Sequence, residues 1–408
     1  MFDYLYQIEF KLPDLKLTID DFISFSVIKT PISKLSPFIM FYTFIRADKY
    51  YELLSLYNEK KKDGDYIKGY LDIYRVGCNL GCDLENIKKT SKSEIIVEHK
   101  GYYITYLKGT TPLSTVDNKA RIYMVSCALV SPHSILLSNL NSLSKVYHSK
   151  KVKDIINEFK NILNNLQIKT YEKINYTNHT YDTIHINQNV NLLELPYFLQ
   201  KYYKITNSIA YYFFDDFSSP YFFNQMNVYK MYDLDSIEKY IKYDMVKLKS
   251  ALFEMHKEEY LELEKFKKFF MNPKTVVFVK NDGDTITKDI DKKVSIQKAK
   301  DKDGKFDKVN VNIDNKYILN LYTPDNPDAA LERYKKTRQI LSKIEKIARV
   351  SIPSIDFRYF DLGIIYKTTK RGKYDTIFHN IVYHFKKVKS LSTLLSLEVI
   401  GDMITFNL

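Results

Sequence analysis

The feature that most restricts the fold of this chain is how often turn formers break its first 140 residues. Runs rich in β-branched and aromatic residues, 4–10, 22–28 and 38–45, are bounded by Pro13, Pro31 and Pro37. Residues 48–60 predict a short helix with Tyr51, Leu54 and Tyr57 toward its inner face. Asp63-Gly64 is a turn signal, and behind it Ile67, Leu71 and Ile73 share one face of a strand over 66–75. Runs 94–97 and 102–107 straddle His99-Lys100-Gly101 and predict a hairpin, and 121–129 and 134–137 finish the set. Short strands at this spacing predict a barrel or a sandwich.

A second β-rich unit ends the chain. Asn326, Pro327 and Asp328 form a helix start. The Asn side chain caps free N–H groups, the proline needs no N–H partner there, and the aspartate complements the helix dipole. Ala330, Leu331, Tyr334, Leu341, Ile344 and Ala348 recur mostly at three- and four-residue steps, which predicts a helix stripe. Strand-like runs follow: 352–363 leading into Ile364, Ile365 and Tyr366, then 375–385 and 391–400 around a basic turn at 386–390. A helix feeding antiparallel strands predicts a small barrel with a helix packed on it.

Between these units the pattern changes. Val152, Ile155, Ile156, Phe159, Ile162, Leu163 and Leu166 predict an amphipathic helix, and a second helix is expected over 193–203 with Pro196 in its first turn. Runs 209–214 and 221–229 predict a hairpin around Ser218-Ser219-Pro220. Residues 235–270 read as helical, with Ile241, Met245, Leu248, Leu252 and Met255 near a heptad and Asn272-Pro273 as the stop. The pattern weakens at Glu258-Glu259, which argues for a packed or partner-facing helix and against a long coiled coil. A strand is expected over 275–279 with a turn at Asn281-Asp282-Gly283, and 292–308, rich in Lys and Asp, reads as an exposed loop or extended hairpin.

The fold class expected is therefore α+β and β-rich. A first β-barrel domain spans 1–140 and an α+β linker domain 141–230. A long helix plus lysine-rich insertion spans 231–315, and a helix and second β-barrel domain spans 316–408, which the strand in 274–280 can join. A chain of 408 residues exceeds one core, consistent with several domains. With 45% hydrophobic and 27% charged residues it has the balance of a folded protein and not of a disordered one. No run of about eighteen apolar residues occurs, so no membrane anchor is expected. The N-terminus Met1-Phe2-Asp3-Tyr4-Leu5-Tyr6 lacks a basic region and a cleavage site, so synthesis in the cytosol is expected.

No cofactor, metal or catalytic residue is expected. Of the three cysteines, Cys78 and Cys82 flank Asn79-Leu80-Gly81 without a second ligand pair, and Cys127 stands apart. The eight histidines, His99, His133, His148, His179, His185, His256, His379 and His384, are dispersed. On one strand His379 and His384 have opposite parity and face apart. Asp301-Lys302-Asp303-Gly304 lacks the third acidic position and the terminal glutamate of a calcium loop. Asp215-Asp216 reads as a turn with Asx-type hydrogen bonds in preference to a metal pair. No Gly-rich phosphate loop, nucleophile elbow or HExxH motif occurs, and glycine is scarce at 11 residues.

The formal charge of +13 is spread over scattered lysines with short clusters at 60–62, 150–151 and 386–387, which favours a solvated lysine-rich surface over a nucleic-acid patch. The 35 tyrosines and 25 phenylalanines without a tryptophan fit an AT-rich coding sequence before a base-stacking surface.

Taken in order, the elements form a recognisable layout. A strand-rich unit closes with 121–134, a helix spans 152–166, and Leu195-Pro196-Tyr197-Phe198-Leu199 opens a short helix. An aromatic run, 209–216, enters an acidic turn, and the helix-plus-strand unit ends in 391–399. This layout resembles the baseplate hub proteins of contractile-tailed phages, which are related to the N-terminal hub part of type VI secretion VgrG spike proteins. It departs from them over 235–308.

The resemblance implies two split, tail-tube-like β-barrels separated by an α+β region. It implies a homotrimeric symmetry adaptor joining a threefold spike to a sixfold tail tube or tube initiator. It further implies a virion protein assembled in the host cytoplasm, whose lumen meets tape-measure protein and transiting DNA, and no enzymatic activity. The strand edges of the C-terminal unit and the 386–389 turn are its candidate contact surfaces. The alternative expectation is a basic nucleic-acid-binding phage protein, and a third is a cell-wall hydrolase built into a baseplate.

Overall fold

The computed structural model describes residues 4–31, 37–77, 93–110, 121–208, 210–223, 225–234, 236, 242–244, 252–254, 275–279, 285–289, 318–322, 335, 339, 342, 344–353, 359–368, 374–388 and 393–406. The N-terminal elements are β1 (Tyr4–Leu12), β2 (Leu17–Ile19), β3 (Phe22–Lys29), β4 (Phe38–Arg46), α1 (Ala47–Lys62), β5 (Ile67–Gly77), β6 (Ser93–Gly109) and β7 (Ile122–Val130). Then come α2 (Pro132–Asn139), β8 (Val146–Lys151), α3 (Val152–Asn165), β9 (Lys169–Lys173), β10 (Thr180–His185), α4 (Leu195–Tyr202), β11 (Ala210–Asp215), α5 (Pro220–Phe223) and β12 (Val228–Asp233). Short strands β13 (Lys242–Asp244), β14 (Leu252–Glu254), β15 (Thr275–Val279), β16 (Thr285–Asp289) and β17 (Ile318–Tyr322) precede β18 (Ile344–Pro353), β19 (Ile365–Thr368), β20 (Tyr374–Lys387) and β21 (Leu395–Phe406).

The fold is α+β and strand-rich, built on one large sheet of order β13-β19-β20-β3-β4-β7-β6-β5-β1-β21-β18-β14, with β2 on β1. Because β20 also pairs with β21, the ladder returns on itself. Strands β20, β3, β4, β7, β6, β5, β1 and β21 form an antiparallel cycle, closed between β1 and β21 at the single pair Tyr6–Leu395. Strands expected in the two separate end units thus share one sheet. Alternation explains the cycle's inner face: Tyr6, Ile8 and Phe10 of β1, Phe25 and Val27 of β3, Phe41 of β4, Leu71 and Ile73 of β5, Val125 and Cys127 of β7, and Phe385 and Leu397 are all buried in one core. Fully burying a side chain of this kind contributes about 1.5–3 kcal/mol.

A second core lies in the α+β unit, where Ile155, Ile156, Phe159 and Leu163 of α3 pack with Leu195 and Leu199 of α4. The sheet β11-β12-β9, antiparallel at β11–β12 and parallel at β12–β9, divides the two cores. Tyr212, Phe214, Tyr229 and Met231 face the helices, whereas Tyr211, Phe213, Val228 and Tyr232 face the core of the large sheet. Every residue of β12 is therefore buried.

Several expectations need correcting. The hairpin expected over 94–107 is one strand, β6, whose two halves both pair with β5. The break at His99 is a bulge (φ 44°), fixed by its N–H donating to Asp72 Oδ1 at 2.5 Å. Residues 134–137 are helical because Ser131 caps α2 and Pro132 opens it. On α1 the buried face carries Tyr50 and Leu53, and Tyr51 is exposed; Tyr50 Oη accepts from Gly109 N at 3.1 Å and its ring stacks on Tyr123. Residues 221–223 form α5, not strand, so β12 begins only at Val228. Residues 335, 339 and 342 are helical, but Ile344 and Ala348 lie in β18, where the pairs Ile347–Ile404 and Ala348–Met403 override the helical spacing. Within the expected helix 235–270, 242–244 and 252–254 are strands. The cap at Asn326, the turn at Asn281 and the segment 292–308 lie outside the described residues.

The α3 stripe, the β5 face of Ile67, Leu71 and Ile73, and the strand over 275–279 stand as expected. Gly69, on that β5 face, tests the packing of the cycle. A Cβ added there would run into Phe10 Cζ, in a fully buried ring, whereas one at Gly101 meets the flexible Lys68 Cε at 3.2 Å and Tyr70 Cε1 at an ordinary 3.9 Å. Urea unfolding should show Gly69→Ala destabilised by about 1–3 kcal/mol and Gly101→Ala by much less.

Candidate functional site: a buried lysine and aspartate cluster

Where the dividing sheet meets the large sheet, four completely buried charged side chains come together: Lys29, Asp215, Lys230 and Asp361. Each is placed by its element. Lys29 shares the inward parity of Phe25 and Val27 on β3. Lys230 and Asp215 have the parity of β12 and β11 residues that face the same core. Asp361 sits in the segment before β19. The Lys29 ammonium is 2.6 Å from Asp215 Oδ2 and 2.5 Å from Asp361 Oδ1. The Lys230 ammonium is 2.8 Å from both of those oxygens. Two positive and two negative charges thus form a closed, neutral square.

The remaining hydrogen-bonding capacity is also used. Lys29 donates to Phe217 O at 3.1 Å, and Lys230 to Leu362 O at 3.2 Å. Asp215 Oδ1 accepts from Phe217 N at 3.0 Å, the Asx-type bond expected of this turn. Asp361 accepts from Ser219 N at 2.6 Å and from Leu362 N at 2.7 Å. Tyr366 Oη accepts from Asp361 N, and Tyr383 Oη donates to Phe360 O at 2.6 Å. Lys230 Nζ also lies 3.9 Å from the centre of the Phe223 ring, a cation–π contact.

The neighbouring carboxylate is held differently. Asp216 is buried, with the Tyr102 and Ser131 hydroxyls facing it, yet neither oxygen reaches hydrogen-bond geometry. Lys100 Nζ is 3.9 Å from its Oδ2, although that ammonium also donates to the Asp216 carbonyl and to Asn227 Oδ1. Burial pushes the Asp215 carboxyl up, but Lys230 and Lys29 override it and hold it at about 2. At Asp216 burial prevails over Lys100 and, with Asp215 adding, holds the carboxyl above its usual value. Burial likewise lowers Lys100 and Lys230, while at Lys29 the two aspartates overcome it and raise the ammonium. Adjacent aspartates thus act with opposite sign. Asp215 adds stability above its unfolded value near 3.8, lost as pH falls toward about 2. Asp216 subtracts stability when charged and gives it back on protonation.

The other polar residues are scattered. His379 Nδ1 bonds Tyr211 Oη at 3.1 Å, and His384 Nδ1 bonds Ser26 Oγ at 2.7 Å, so the two histidines serve different contacts. Glu398 lies across the ladder from His384 but accepts from Ser351 and Lys386, so Ser26, His384 and Glu398 do not make a nucleophile relay. His99 stacks on Tyr70, His133 is half-buried beside Phe214, and His148, His179 and His185 are exposed. Cys127 is buried, and burial pushes its thiol up. Cys78, Cys82, His256 and Asp301 to Gly304 lie outside the described residues. Among the described residues no three His, Cys, Asp or Glu side chains are grouped to hold a metal ion, and no helix is long and apolar enough to cross a membrane. A cavity of about 260 Å³ is lined by Tyr57, Lys60, Lys61, Tyr66 and Ile67 among others and by no residue of the cluster.

Comparison with known proteins found no matching family model and no matching curated protein. Solved structures with a similar chain path include the 43 kDa tail protein of prophage MuSo2 from Shewanella oneidensis, at 10% identity and TM-score 0.48, covering 97% of each chain. A tail protein from Neisseria meningitidis MC58 is similar at 8% identity and TM-score 0.48, over 97% of this chain and 96% of that one. The Francisella PdpA–VgrG complex is similar at 11% identity and TM-score 0.44, over 98% of this chain and 58% of that one.

Removing one member of the square leaves a buried charge unpaired, so Lys230→Ala should cost about 3–5 kcal/mol in urea unfolding. Asp215→Asn should cost clearly more than Asp216→Asn. Wild-type stability should fall as pH drops from about 4 to about 2, where Asp215 takes up its proton, and Asp216→Asn should lack the gain in stability that protonation of Asp216 gives the parent chain as pH falls toward about 4.

Proposed function

We propose that this chain is a structural hub of a contractile phage tail baseplate, a homotrimer that joins a threefold spike to a sixfold tail tube. The observation that carries the reading is the eight-strand cycle, which we take to close as a β-barrel split between the two ends of the chain. An eight-strand barrel is just wide enough for side chains to fill, and Tyr6, Phe25, Phe41 and Phe385 fill this one. Closure removes sheet edges that would otherwise pair without control. A filled barrel is a rigid docking body, and its buried charges have no access for a substrate. A threefold ring that also meets a sixfold tube needs two similar docking faces per chain. The split barrel supplies one of them.

On this reading the chain is not an enzyme. Its partners are two further copies, a spike, a tube or tube-initiator protein and, in the lumen, tape-measure protein and transiting DNA. It is assembled in the host cytoplasm and ends in the virion. The nucleic-acid-binding alternative has less to rest on. Lys29, Lys100 and Lys230, part of the formal +13, serve as internal counter-ions, and Lys11, Lys160 and Lys386 pair with Asp72, Glu172 and Glu398.

Size-exclusion chromatography with light scattering tests the reading directly. A trimer at micromolar concentration, alone or with the tube protein, is expected. A chain that stays monomeric with its tube partner present contradicts the hub. DNA binding tighter than micromolar with a steep salt dependence would favour the alternative.

A further inference from the structure

Three neighbouring strands of the cycle and the second half of a fourth lack carboxylates. β3, β4, β7 and the 100–109 half of β6 contain Lys29, Arg46, Lys100 and Lys108 and no Asp or Glu. Lys29 and Lys100 are occupied within the fold and Arg46 lies 3.4 Å from Asp48 of α1, so Lys108 gives the outward side its net positive charge. Strand register brings large apolar side chains together there. Tyr42 faces Ser126, Phe44 faces Met124, and Ala128 stands between Met40 and Tyr106. Tyr42, Phe44 and Tyr106 remain 38%, 40% and 44% exposed. Alternate residues on a strand stand ~7 Å apart and adjacent strands ~4.8 Å, so these side chains form one continuous surface. Single exposed aromatics are ordinary, but a contiguous apolar group is an interaction surface.

We propose that this outward face of β4, β7 and β6 docks an acidic protein partner within the assembled tail, an inference that rests on the hub reading. The partner's apolar groups would cover Tyr42, Phe44, Tyr106 and Met124, and its carboxylates would meet Lys108 and Arg46. Tyrosine, phenylalanine, methionine and arginine are the residue types enriched at protein interfaces. The same face of a second copy would bring like charges and no carboxylate to answer them. A nucleic acid would find only two outward cations on these strands, too few for a strong phosphate contribution.

Hydroxyl-radical footprinting read by mass spectrometry tests this, comparing the purified chain with the assembled particle. Labelling of Tyr42, Phe44, Tyr106 and Met124 should fall about tenfold on assembly, as for side chains at an interface core, while Leu136 and Tyr197, exposed elsewhere, change little. Lys108→Glu should lower incorporation about tenfold and Lys108→Arg should not, as expected for a charge pair across an interface. Unchanged labelling in a particle that contains the chain overturns this inference and leaves the hub reading intact. Protection already complete in the purified oligomer overturns it in favour of contact between copies. Protection that nuclease removes overturns it in favour of nucleic acid. A particle that lacks the chain removes the hub reading and this inference with it.

Discussion

Four fully buried charges, Lys29 and Lys230 against Asp215 and Asp361, hold together segments that nothing local in the sequence would join. Taking such groups out of water costs several kcal/mol each, and their attraction offsets this only when every lone pair and proton is used. Here every ammonium proton has an acceptor and every carboxylate oxygen a donor: both carboxylates receive backbone N–H groups and both ammoniums reach carbonyls. An apolar filling of the same volume could be equally stable, so net stability is not the main consequence of the square. Its consequence is specificity. Any other docking of the α+β unit on the large sheet would leave at least one charge buried and alone, at about 3–5 kcal/mol.

That constraint explains why a chain whose ends lie far apart in sequence builds one sheet. Lys29 and Asp361 are 332 positions apart, and Lys230 reaches Asp361 across 131. The dividing sheet β11-β12-β9 contributes to both cores, so it transmits the docking of one to the other. Non-local pairing of this kind is formed late and at high entropic cost, and closing the cycle belongs to that class of contact. The charged square fixes how β3, β11, β12 and the segment before β19 meet. Asp216, beside it, shows the other outcome: a buried carboxylate with Lys100 at 3.9 Å and the Tyr102 and Ser131 hydroxyls facing it, none within hydrogen-bond geometry of its oxygens.

The parts of this fold legible in the sequence are those written in local periodicity. The α3 stripe from Val152 to Leu163 follows the helical period, and the β5 face of Ile67, Leu71 and Ile73 follows the strand period. Where tertiary pairing overrode local spacing the reading failed, as at Ile344 and Ala348, taken into β18 by β21. It failed also where one bond decided the geometry, as at His99, whose bulge depends on Asp72. The charged square was only faintly written. Lys29 continues the inward parity of Phe25 and Val27, Lys230 interrupts the apolar and aromatic run of β12, and Asp215 ends the apolar run of β11. Each was a signal of a buried charge, but the partner of each lay on another element, and spacing alone could not pair them. The sequence predicts an Asx turn at Asp215, and the residue makes that bond, but its second oxygen holds the two lysines.

Native-state hydrogen exchange on the Lys230→Ala variant tests most directly whether the square joins three segments. If it does, amides of Val27 in β3, Met231 in β12 and Tyr383 in β20 should lose protection together, by a common amount, as one cooperative unit. Loss confined to β12, with β3 and β20 protected as in the parent chain, would contradict the account and reduce the cluster to a local contact of one strand.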